Sequence, residues 1–114
     1  MQQRTYDFLV QMNVPMFLAG SEFLGEGIEL VMNRLEQHQF ITMTEIDETL
    51  AEKFECSSCS VDRRMRRALD IAVFRSGAYP NQELEHLKEQ FSIENMSVKK
   101  FLYAGARCLM TEVT

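Results

Sequence analysis

An all-α domain of about six helices around one core is the fold class this sequence predicts, and three observations predict it. Apolar residues recur at helical spacing along most of the chain. Two prolines and five glycines are the main interruptions, and they divide the chain into helices with little room for strands. A length of 114 residues with 46% hydrophobic content is the size of one ordinary domain with a core of its own. The expected organisation is therefore a single unit over residues 1–114.

Tyr6 to Met12 reads as a short helix, closed by Asn13-Val14-Pro15 because proline pushes its predecessor out of the helical region. Ser21 is the expected N-cap of a longer helix to about Gln37, with Phe23, Leu24, Ile28, Val31 and Leu35 at helical spacing. Gly25 and Gly27 lower helix propensity there by about 1 kcal/mol each, which points to close packing against a neighbour. Phe40 to Thr42 reads either as a scrap of strand or as a connector. Thr44 begins the third helix, with Asp47 three residues on and Ile46, Leu50 and Phe54 facing inward. After a serine-rich break from Glu55 to Cys59, a fourth helix runs to Arg75, with Gly77 as its C-cap. The apolar run from Ile71 to Phe74 predicts that this helix passes through the middle of the domain and exposes mainly its N-terminal turns. Asn81 caps a fifth helix through Phe91, and Ser97 a sixth through about Met110.

The fourth helix carries the main functional signal. Arg63, Arg64, Arg66 and Arg67 fall within five residues of a chain whose net charge is −5. At about 100° per residue they fan over roughly 160° of helix surface, while Val61, Met65, Ala68, Leu69 and Ala72 form a stripe on the other side. From Ser60 to Gly77 the charge is +3, so the rest of the chain carries −8. One face is built for burial and the other for an anion.

The helices at 44 to 54 and 58 to 76 have the spacing of a helix-turn-helix, with Ala51 for close helix contact and Val61 ten residues later on the buried side. In such a unit the second helix presents its first turns to the major groove of double-stranded DNA, where arginine donates two hydrogen bonds to guanine or neutralises phosphates. The alternative is a solvated face whose arginines pair with Glu45, Glu48 and Glu52 of the preceding helix.

The segment IDETLAEKFECSSCSVDRRMRRALDIAVFRSG resembles the helix-turn-helix in the C-terminal effector domain of the stage-zero sporulation response regulator family. Upstream, NVPMFLAGSEFLGEGIELVMN resembles the opening of that domain, with a Val-Pro pair and a glycine five residues after the proline; SVKKFLYAGARCLM resembles its last helix. The resemblance runs from about Tyr6 to Met110. It implies a helix-turn-helix of the winged-helix-like superfamily without a clear wing, acting in transcription regulation and sporulation. It also implies double-stranded DNA and RNA polymerase as partners, with tandem promoter boxes as the target.

By the same resemblance, an arginine just before the valine and an acidic residue just after it read bases; here Ser60 and Asp62 hold those positions. Arg63 and Arg66 match basic positions, and Arg67 replaces a polar contact. Ser58, Ser60, Asp62, Arg63, Arg64, Arg66 and Arg67 are thus the expected DNA-binding residues. Ser60 donates one hydrogen bond where the family has a bidentate reader of guanine, a contact worth about 1 to 3 kcal/mol of discrimination. The family's receiver domain has no room in this chain, so the expectation is a fragment or a stand-alone relative, with weak DNA binding and a weak homodimer. A helical protein-interaction adaptor that has lost efficient DNA reading is the reading from a different class.

Other chemistry finds little support. No apolar run approaches the roughly 18 residues of a membrane span, and MQQRTYD lacks the apolar stretch of a secretory signal, so no membrane partner and a cytoplasmic location are expected. Cys56, Cys59 and Cys108 are too few and too irregular for a disulfide scaffold. Cys56-Ser57-Ser58-Cys59 is a C-x-x-C at a helix start, but it lacks the strand-helix-strand setting of a redox site. It also lacks a second ligand pair for zinc. His38 and His86 have no recognisable nucleophile partner and there is no glycine-rich phosphate loop, so neither enzyme activity nor a cofactor is expected.

Overall fold

The computed structural model describes residues 1–75 and 81–111. Their elements in chain order are α1 (Gln3–Gln11), α2 (Ala19–Glu36), α3 (Met43–Lys53), α4 (Ser58–Arg75), α5 (Gln82–Gln90) and α6 (Val98–Thr111), with no strand among the described residues. Helix α2 is the hub, packing against α1, α3, α4 and α6. Its Leu24, Ile28 and Val31 are fully buried together with Leu9, Ile46, Val61, Met65, Phe101 and Leu102 from the surrounding helices. The Phe8 and Phe101 rings meet at 5.8 Å, tying α1 to α6.

Both glycines expected to mark close packing do so. A side chain at Gly27 would press on Leu102 at 3.1 Å, and one at Gly25 would meet the end of Met1. Gly20 is tighter still, because a Cβ there would run into the backbone carbonyl of Arg64, 2.7 Å from its carbon. That approach seats α4 directly on α2.

The caps explain where the helices begin. The Asn81 side chain accepts from the Leu84 amide at 3.2 Å and donates to the Met12 carbonyl at 3.0 Å, so it caps α5 and ties it to the end of α1. Ser97 accepts from the Lys100 amide at 3.2 Å. Two expected starts are corrected. Ser21 is not an N-cap: α2 begins at Ala19, and Ser21 lies buried inside it, donating to the Leu18 carbonyl at 2.7 Å. The turn after Pro15, in which the Leu18 amide already donates to the Pro15 carbonyl, starts the helix early. The cap of α3 is Thr42 rather than Thr44, its hydroxyl accepting from the Glu45 amide at 3.1 Å. Thr42-Met43-Thr44-Glu45 is thus the capping sequence.

Residues 40–42 form a connector rather than a strand. The Tyr103 hydroxyl accepts from the Ile41 amide at 3.0 Å and donates to the Ile41 carbonyl at 2.8 Å, satisfying the backbone that a strand partner would otherwise pair. Four helices end without glycine. Asn13, His38, Glu55 and Ser92 take positive φ, and each is followed by an amide that reaches back over the last turn, as Cys56 N–H does to the Ala51 carbonyl at 3.0 Å. The expected Gly77 cap lies outside the described residues.

Candidate nucleic-acid interface

Helices α3 and α4 pack against each other, and Ile46, Leu50 and Ala51 of α3 are buried in the same core as Val61 and Met65 of α4. The turn between them is short because Glu55 closes α3 in the left-handed region and Ser57 at once caps α4, its hydroxyl accepting from the Ser60 amide at 3.1 Å. Phe54 is anchored edge-on to Phe23 of α2 with ring centroids 5.1 Å apart. Cys56 packs on the core, whereas Cys59 is exposed on the first turn of α4; both are free thiols.

The expected stripe on α4 is buried in full: Val61, Met65, Ala68, Leu69 and Ala72 are each at most 2% exposed. Arg63, Arg64, Arg66 and Arg67 are all exposed on the other side. The alternative pairing with Glu45, Glu48 and Glu52 of α3 is not seen among the described residues. Glu45 pairs with Arg34 of α2 at 3.2 Å, and among the described residues no ion pair joins Arg63, Arg64 or Arg67 to an acid. Arg66 donates to Asp62, one turn earlier, at 3.0 Å. That contact is solvent-exposed and holds Arg66 only lightly. Ser60 is partly exposed one turn before Arg63 and Arg64, while half-buried Ser58 lines a cavity against α3 with Thr44, Asp47, Glu48, Cys59 and Asp62.

One expectation about α4 is overturned. Its C-terminal half does not run through the middle of the domain, since Phe74 is 77% exposed and Ile71 only partly covered. Helices α2 and α3 cover a single stripe of α4, and an apolar residue off that stripe stays in solvent whatever its hydropathy. At the helical repeat Phe74 falls in line with Arg63 and Arg67, and Arg63, Arg66, Arg67, Asp70, Ile71 and Phe74 line one shallow depression. That extension of the face was legible in the spacing, but the apolar run from Ile71 to Phe74 drew attention to burial instead.

Helix α4 is thus seated by α2 and α3 and bears its arginines along the outer face. A profile described as the C-terminal domain of the sporulation initiation factor Spo0A matches residues 5–102, from α1 into the first turns of α6. The chain belongs to the Spo0A C-terminal domain family. No curated protein and no solved structure matches it. The Spo0A C-terminal family is a DNA-binding effector domain of a sporulation regulator and not an enzyme, and the six-helix, strand-free architecture of the described residues agrees with it. No helix among the described residues is long and apolar enough to cross a membrane.

Proposed function

We propose that this domain regulates transcription by sequence-specific binding of double-stranded DNA, with the N-terminal half of α4 in the major groove. The observation that carries this reading is the set of four exposed arginines opposite a fully buried stripe, three of them without an acidic partner among the described residues. Ser60, Arg63, Arg64, Arg66 and Arg67 face base edges and phosphates, Asp62 accepts from a base or holds Arg66, and Ser58 sits at the margin beside α3. Residues 1–114 act as one domain. Its net charge of −5 opposes non-specific attraction to phosphates, so affinity is modest and rises with pairing of copies on tandem boxes. RNA polymerase is the protein partner that family membership supports.

Exposed Phe74 favours a second reading, a helical adaptor, since an apolar residue beside arginines also suits a protein with an acidic surface. Fluorescence anisotropy with a duplex carrying a family-type box and a scrambled duplex tests the choice. Preference for the box supports promoter reading, equal binding overturns sequence specificity, and no binding leaves the adaptor.

A further inference from the structure

The cavity between α3 and the first turns of α4 brings carboxylates from both helices together: Asp47 and Glu48 from α3, and Asp62 from α4. They are not equivalent. Asp62 accepts from Arg66 at 3.0 Å, whereas Asp47 Oδ1 is buried and has no hydrogen-bond partner among the described residues. A buried carboxylate oxygen without a donor is costly when ionised, and a second carboxylate nearby adds to the cost.

We propose that Asp47 is a positioning residue for the DNA-reading face, acting through Asp62 and Arg66, and that docking on DNA shifts the Asp47 carboxylate toward its protonated form, with a net uptake of a fraction of a proton from solvent. The inference rests on the docking of α4 proposed above. Duplex phosphates bring further negative charge to the first turns of α4 and so raise the cost of every carboxylate behind them. Asp62 accepts from Arg66, whereas Asp47 Oδ1 has no donor among the described residues, so the proton goes to Asp47. A neutral Asp47 no longer competes with DNA for the Arg66 guanidinium, and its O–H is a donor for acceptors that line the same cavity.

The titratable and charged groups about Asp47 are Asp62, Arg66 and the Cys59 thiol from α4 and Glu48 from its own helix. Burial, and then the charge of Asp62, already push the Asp47 carboxyl up from 3.8 to about 6, with Arg66 pulling the other way. DNA raises it further. A group that binds its proton more tightly in the complex favours the complex as pH falls. Affinity therefore climbs as pH drops through the window between the bound value and about 6, and levels off below it.

The test is fluorescence anisotropy of the full chain with a labelled duplex carrying a family-type box, from about pH 8 to about pH 5 at constant salt. Wild-type affinity is expected to rise about threefold to tenfold over that range, the upper figure corresponding to a proton held about tenfold more tightly in the complex than in the free protein. Asp47→Asn is expected to lack this component and to bind at neutral pH about as tightly as wild type does in acid. The difference between the wild-type and Asp47→Asn profiles is the readout, since every other group is common to both proteins. Carboxyl NMR of Asp47 in the wild type, with and without duplex, reads the same proton directly and does not depend on the variant folding. A flat wild-type profile, an Asp47→Asn profile that tracks wild type, or an Asp47 titration unmoved by DNA overturns the inference while leaving the docking intact. Absence of binding at every pH overturns both.

Discussion

Gly20 of α2 lies against the backbone carbonyl of Arg64, so close that a single methyl group at residue 20 has no room. The contact joins the core to the arginine face, because the turn of α4 that carries Arg63, Arg64, Arg66 and Arg67 is seated through its own backbone. Gly20→Ala is expected to destabilise the fold by about 1 to 3 kcal/mol, since helix backbone cannot step aside as a side chain can. Gly25→Ala, whose obstacle is the flexible end of Met1, is expected to cost less. Denaturant midpoints of the two variants check the order, and equal midpoints would show that α4 is not held at this point.

Leu69 is 2% exposed on the buried stripe of α4. Leu69→Ala should lower stability by about 2 to 5 kcal/mol and affect DNA only through that loss. A negligible change in denaturation midpoint would show that the stripe is assigned to the wrong face.

Asp47 gives a prediction about stability and pH. Its folded-state carboxyl is raised to about 6 by burial and by Asp62, above the unfolded value near 3.8. The folded state therefore holds the proton more tightly, and the favourable contribution is complete below about 3.8 and lost as pH rises through about 6. Asp47→Asn should remove this slope and leave the protein no less stable than wild type at neutral pH. Urea midpoints at about pH 4 and about pH 7 measure it, and identical pH slopes for the two proteins would contradict the assignment.

Ser60 tests the geometry of reading, because by the resemblance it takes the place of a base-reading arginine. Ser60→Arg restores a two-pronged donor beside Asp62 and should raise affinity for a family-type box more than for scrambled DNA. Phosphate attraction alone would raise both alike. An equal gain would place residue 60 near phosphate, and a loss of binding would show that the helix docks differently.

The buried half of the site was legible in the sequence because five apolar residues at helical spacing leave one solution for α4, and the structure buries all five. The arginine face follows as its complement. The tertiary surroundings were less legible. Phe74 reads as core by composition, yet its exposure depends on where α2 and α3 end their cover. Ser21 has the chemistry of an N-cap, but the turn after Pro15 begins α2 three residues earlier, with Leu18 at the N-cap position. Asp47 reads as a capping acid at the start of α3 and becomes a charge problem only when Asp62 is brought beside it across a turn. The non-glycine helix ends at His38, Glu55 and Ser92 have no strong local signal, since the left-handed conformation there is held by the next amide reaching back to a carbonyl of the last turn and not by glycine.

The central claim is that α4 reads DNA through its arginine face, and the most direct measurement is a salt titration of wild type and the Arg63→Ala/Arg66→Ala double variant on a family-type box and a scrambled duplex. The variant should remain folded by circular dichroism, since both side chains are exposed opposite the buried stripe. Wild type is expected to prefer the box and to weaken linearly with log salt, while the variant loses about 1 to 3 kcal/mol per base contact removed and with it most of the preference. Equal affinity of the two folded proteins for both duplexes at every salt concentration would contradict the claim.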